Sequence, residues 1–91
     1  MDQQHLIVKG FVDFSRKEVV LFRPNKAETI VVPFSFFMRA KTKPDFNDMS
    51  IIDYGNTVKF GECEAESSTI LYACEPAYKA YVDSNRIKNA R

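Results

Sequence analysis

The sequence predicts a small α+β domain: an antiparallel or mixed sheet of about five strands, one short helix packed on it, and a C-terminal segment that is a helix or a tail. Three observations lead there. Short β-branched and aromatic runs of strand length recur between turn residues. One apolar run after Pro33 changes to helical spacing. The 91 residues, 45% hydrophobic and 27% charged, match one globular domain rather than a disordered chain. The expected division is residues 1–76 as the α+β domain and 77–91 as a basic C-terminal helix or tail.

The segment from Leu6 to Phe14 begins apolar and then alternates Phe11 and Asp13 against Val12 and Phe14, a first strand with a bulge expected at Gly10. After a polar break at Ser15-Arg16-Lys17, Glu18–Arg23 is a β-branched and aromatic run, expected to be a central strand covered on both faces. Pro24 to Ala27 supplies the turn into Glu28–Val32, the hairpin partner of the second strand.

Pro33 has no N–H for a ladder and ends that strand. Beyond it Phe34, Phe37, Met38 and Lys41 stand at i, i+3, i+4 and i+7, one face of a helix over Phe34–Lys41. That face is expected to pack on the sheet; the alternative is an exposed aromatic platform. Pro44 opens a segment through Ser50, read as one helical turn with Phe46 and Met49 inward. Ile51 to Tyr54 leads into a turn at Gly55-Asn56, and Thr57–Phe60 alternates as a strand with Val58 and Phe60 on one face. Gly61–Ser68 reads as a polar, acidic loop and Thr69–Cys74 as a last strand or extended segment. Tyr78, Tyr81 and Val82 have helical spacing in the tail, interrupted by Ser84-Asn85.

Composition excludes several classes. The longest apolar runs, such as Val19–Phe22, are far short of the roughly 20 residues that cross a bilayer, so no membrane association is expected. The N-terminal residues lack the basic region and long apolar stretch of a secretory signal, which predicts a cytoplasmic protein. Cys63 and Cys74 can form a disulfide only from neighbouring strands, and the expectation is two reduced thiols. No metal and no cofactor are expected. His5 is the lone histidine, read as a solvated terminal residue, too few for a zinc site or a nucleophile with its base. Three glycines form no phosphate-cradling loop. Asp45 and Asp48 are paired carboxylates without a sign of a cleft. The chain reads as a binding protein, with no catalytic residues.

Charge is the best clue to what binds. Lys9 to Lys43 holds eight bases and three acids, a net of +5; Asp45 to Glu75 holds seven acids and one base, a net of −6; Ala77 to Arg91 is +3, and Asp2 completes the total of +1. Such segregation either neutralises in the folded state or presents a dipolar surface that steers a charged partner. Glu62, Glu64 and Glu66, two apart in an extended segment, point the same way and offer three carboxylates to a basic protein. Tyr72 or Tyr78 is the expected exposed aromatic anchor. A nucleic acid is the alternative partner, with Lys41, Lys43, Arg86, Lys88 and Arg91 on phosphates and Phe36, Tyr78 or Tyr81 on bases. A pI of ≈ 7.7 and the acidic block oppose that reading. An uncovered sheet edge would also allow a homodimer.

The order Val31-Val32-Pro33-Phe34-Ser35-Phe36-Phe37, then Gly55-Asn56-Thr57-Val58-Lys59-Phe60, then Glu62 to Tyr72 resembles the bacterial and phage family called domain of unknown function 2442. The resemblance spans roughly Ile7 to Tyr72. This chain differs at the Pro24–Ala27 turn and carries Phe60 where members tend to have Trp. The resemblance implies a small α+β module with no catalytic residues to transfer, and an antitoxin-like or regulatory role. Inhibition of a host defence complex by a phage-encoded protein is the other role it leaves open.

Overall fold

Six strands divide between two three-stranded antiparallel sheets in the computed structural model, which describes residues 5–24 and 26–89, with side chains through residue 85. The first sheet has the order β1 (Lys9–Asp13), β2 (Glu18–Phe22), β3 (Thr29–Pro33). The second has β4 (Met49–Ile52), β5 (Thr57–Phe60), β6 (Cys63–Glu66). Helix α1 (Phe34–Phe37) follows β3, while α2 (Ser67–Cys74) and α3 (Pro76–Asn89) close the chain. The α+β class and the C-terminal helix are as the sequence predicts, with six strands in place of about five.

Alternation decides what each sheet turns inward. Val19, Leu21, Ile30 and Val32 are buried on the first sheet, and Val58, Phe60 and Cys63 on the second. These faces share one core with Ile7, Phe37, Ile70, Leu71 and Tyr78. Its aromatic centre is Phe60, whose ring lies 4.8 Å from Phe37 and 5.2 Å from Phe46; Phe46 in turn stacks on Phe34 at 3.8 Å.

The second strand is central, flanked by β1 and β3, but only one of its faces is covered. The second sheet and the helices contribute to the core on the Val19/Leu21 side, leaving Phe11 51% and Val31 45% exposed on the other. No bulge interrupts β1 at Gly10, which pairs in register with Leu21. A Cβ there would come within 2.7 Å of the Leu21 and Met49 side chains, so close packing rather than a kink requires the glycine.

Helix α1 is one turn, not the two that run to Lys41. Met38 N–H still donates to Phe34 O at 3.1 Å, but Ala40 N–H reaches Phe37 O at 3.2 Å in the tighter pattern that ends helices. Phe37 is buried, whereas Met38 and Lys41 are exposed, so there is no apolar surface to hold a second turn. The segment before β4 is a turn rather than a helix: Asp45 Oδ1 accepts from Asn47 N–H at 3.0 Å, and Asp45 O from Asp48 N–H at 3.0 Å. Phe46 and Met49 do face inward from it.

Two larger corrections fall after Phe60. The acidic loop is a hairpin: Phe60 pairs with Cys63 across the two-residue turn Gly61-Glu62, with Gly61 at φ +63° in the first central position. The segment Thr69–Cys74 is not a strand but most of α2. Ser67, Ile70 and Leu71 are buried and Cys74 is half-buried, at i, i+3, i+4 and i+7, so one helical face outweighs the strand propensity of Thr, Ile and Tyr. Pro76 then occupies the first position of α3, and Glu75 caps it, Oε1 accepting from Ala77 N–H at 3.3 Å. The helix runs through Ser84-Asn85 without a break.

Candidate functional site

The turn between β4 and β5 is the hub of the site. The sequence places positive φ at Gly55-Asn56; the structure places it at Asp53 (+55°), Tyr54 (+55°) and Gly55 (+90°), with Asn56 at −85°. A Cβ on Gly55 would stand 2.7 Å from Ile7 O, because Ile7 N–H donates to Gly55 O at 3.0 Å. The same carbonyl accepts from the buried Ser67 hydroxyl at 2.7 Å, and Ser67 N–H donates to Asn56 O at 2.8 Å. One left-handed turn thus ties the N-terminal segment to the start of α2.

These ties create a cleft of about 600 Å³. Asp53, Asn56 and Thr57 form one wall, Glu64 and Glu66 of β6 another, with His5 and Ser68 completing the lining. His5 is therefore not a solvated terminal residue: it is half-buried, and its Nε2 lies 2.7 Å from Asn56 Oδ1. Glu64 and Glu66 share the outward face of β6, as spacing by two requires, beside Lys59 and Thr57 on β5. Glu62 is separated from them, exposed in the hairpin turn. Two of the three predicted carboxylates therefore converge, joined by Asp53.

β6 is an edge strand, and a second groove of about 280 Å³ runs beside it, sharing Glu64 and Glu66 with the cleft and reaching Phe36 and Thr69. Phe36 and Thr69 also belong to a third, mainly apolar groove of about 430 Å³, whose other walls include Arg39, Tyr72, Tyr78 and Val82. The structure thus brings the two predicted tyrosines together, in a different role from that expected. Tyr78 is 9% exposed and forms a wall rather than a projecting anchor, because it belongs to the face of α3 that packs on α2. Tyr72 is half-buried and its hydroxyl donates to Asp83 Oδ1 at 2.7 Å, with Lys79 Nζ 5.2 Å from its ring. Lys79 and Asp83 pair at 2.9 Å, and the carboxylate beside it pushes the Lys79 pKa up. Arg39 lies over the Phe36 ring at 5.0 Å, placing a guanidinium at the groove.

Lys41 and Lys43 are exposed in the loop after α1. The side chains of Arg86 and Lys88, and all of Arg91, lie outside the described residues. Among the described residues the basic and acidic blocks meet through one ion pair, Arg23 to Glu75 at 3.2 Å. Cys63 is buried and Cys74 half-buried, both free thiols, and burial pushes both pKa values up, so neither is an activated nucleophile. Among the described residues no group of His, Cys, Asp and Glu could hold a metal ion, and no helix is long and apolar enough to cross a membrane.

Sequence reasoning missed His5, Asp53, Asn56 and Ser68 as neighbours of the glutamates. The Gly55-Asn56 turn signal marks the place, but the approach of α2 to that turn depends on reading Ser67–Cys74 as a helix. The chain matches no protein-family model, no curated protein and no solved structure.

Proposed function

We propose that this chain is a non-enzymatic protein-binding module that accepts an extended basic segment of another protein along β6. The observation that supports this reading is the continuity of one surface: an acidic cleft at Asp53, Glu64 and Glu66, an open strand edge, and an apolar groove at Phe36, Tyr72 and Tyr78. An edge strand offers unpaired backbone groups to a peptide, and alternate side chains of that peptide find pockets. A Lys or Arg would sit among the carboxylates, and an apolar side chain in the aromatic groove. Electrostatic complementarity would accelerate encounter more than it deepens affinity. The reading takes up the resemblance to the domain of unknown function 2442 family, and with it an antitoxin-like or regulatory role; inhibition of a host defence complex uses the same surface.

Panning a random peptide display library against the immobilised protein tests it. Enriched sequences should carry Lys or Arg near an apolar residue, and a Glu64→Lys, Glu66→Lys variant should lose them. Association should also slow as salt is raised through about 0.15 M, where the Debye length is about 8 Å. Enrichment that is indifferent to charge, or that survives both reversals, rules the surface out.

A further inference from the structure

The outward face of the first sheet is a separate surface from the β6 grooves, and its composition is ordered. The register sets three rows across the strands: Lys9, Phe22 and Thr29; then Phe11, Val20 and Val31; then Asp13, Glu18 and Pro33. The middle row is apolar, with Phe11 and Val31 about half exposed. Phe22 extends it, 6.2 Å from Phe11, with Lys9 Nζ 5.0 Å above its ring. One end of the face is therefore a cation and the other two carboxylates, with Arg16 and Lys17 in the turn that joins them. Asp13 is fixed by the turn it caps, its Oδ1 accepting from Ser15 Oγ–H at 3.0 Å and Arg16 N–H at 3.1 Å.

Lys9 and Asp13 are four residues apart on one strand, about 13 Å, too far to pair within a chain. A two-fold axis running across the strands through the middle row removes that separation. It turns the Lys9 end of one copy onto the Asp13/Glu18 end of another and lays Phe11, Val20 and Val31 on their own counterparts. Sheets packed face to face lie about 10 Å apart, within reach of a lysine from one side. We infer that this face is an isologous homodimer interface, with a second copy of the chain as its occupant. The charge pattern is what selects the second copy, since that one rotation sets the Lys9 of each copy on the Asp13 end of the other.

The dimer is weak. Three five-residue strands make a face of roughly 17 × 14 Å, well below the ~800 Å² per partner of a standard interface. A face of that size fits a weak, transient association, so the concentrations to test run from about 10 μM to 1 mM.

Sedimentation equilibrium over that concentration range tests the proposal. The weight-average mass should climb from 10.5 kDa toward twice that value. Lys9→Glu alone and Glu18→Lys alone should each weaken association about tenfold or more, and an equimolar mixture of the two should recover it, because each reversal supplies the other's lost partner. Val31→Lys, at an exposed edge position, should remain a monomer while keeping the wild-type circular dichroism spectrum and melting temperature. A wild-type chain that stays monomeric up to about 1 mM overturns the inference. So does a Lys9→Glu or Val31→Lys variant that dimerises like wild type, or a mixture of reversed variants that gains nothing over either alone. Peptide panning reads a different surface, so failure there leaves this result standing.

Discussion

The outward residues of β1–β3 include Phe11, Val20, Phe22 and Val31, whereas those of β4–β6 are Ser50, Thr57, Lys59, Glu64 and Glu66, with Ile52 the single large apolar side chain. Inward, the two sheets are alike: Val19, Leu21, Ile30 and Val32 meet Val58, Phe60 and Cys63 in one core. The difference shows that burial determines the inner faces of both sheets while leaving the outer faces free to diverge. One outer face is an apolar surface with charged ends; the other is polar and opens onto an acidic cleft. Phe11 and Val31, each about half exposed, form the apolar row on which the proposed self-association rests.

The largest test of the shared core is Phe60→Ala. Phe60 is fully buried and touches rings from both the α1 segment and the Asp45–Asp48 turn, so truncation should cost about 3–5 kcal/mol in chemical unfolding. A loss below about 1 kcal/mol would mean that the two sheets do not depend on one aromatic centre. Ser67→Ala probes the tie between the second sheet and α2. Losing the 2.7 Å bond removes one of the two bonds that the Gly55 carbonyl accepts, the Ile7 N–H remaining, for an expected loss of about 0.5–1.5 kcal/mol. A neutral result would remove that tie from the list of what shapes the cleft. The smallest effect belongs to Glu64→Lys with Glu66→Lys, both exposed; unfolding stability should stay within about 0.5 kcal/mol of wild type. A larger loss would mean that the glutamates serve the fold, and the contrast between the two outer faces would weaken.

Much of the first sheet was legible. β-branched and aromatic runs identified β2 and β3, and in the second sheet period-two alternation identified β5, each to within a residue or two. The same signal failed at β6, Cys63–Glu66, where only Cys63 is buried and the outward glutamates look like a loop. It failed at α2 for the opposite reason: Thr69, Ile70 and Tyr72 favour strands locally, and only the later burial of Ser67, Ile70 and Leu71 on one side decides for a helix. In the candidate site the glutamates were legible as a spaced series. Their partners were not, since His5 and Asn56 are 51 residues apart and meet only through the turn at Gly55.

Local chemistry by itself determined the α+β class, the turn-making positions around Pro24 and Gly55, and the alternation that sorts Val58 and Phe60 inward. Each of these depends on dihedral preference or on period, which neighbouring residues settle among themselves. Only tertiary structure decided that the strands form two sheets, that Tyr78 is a wall and not an anchor, and that Asp53 joins Glu64 and Glu66. Those outcomes depend on which distant surfaces meet, and a long-range contact leaves no period in the chain to read.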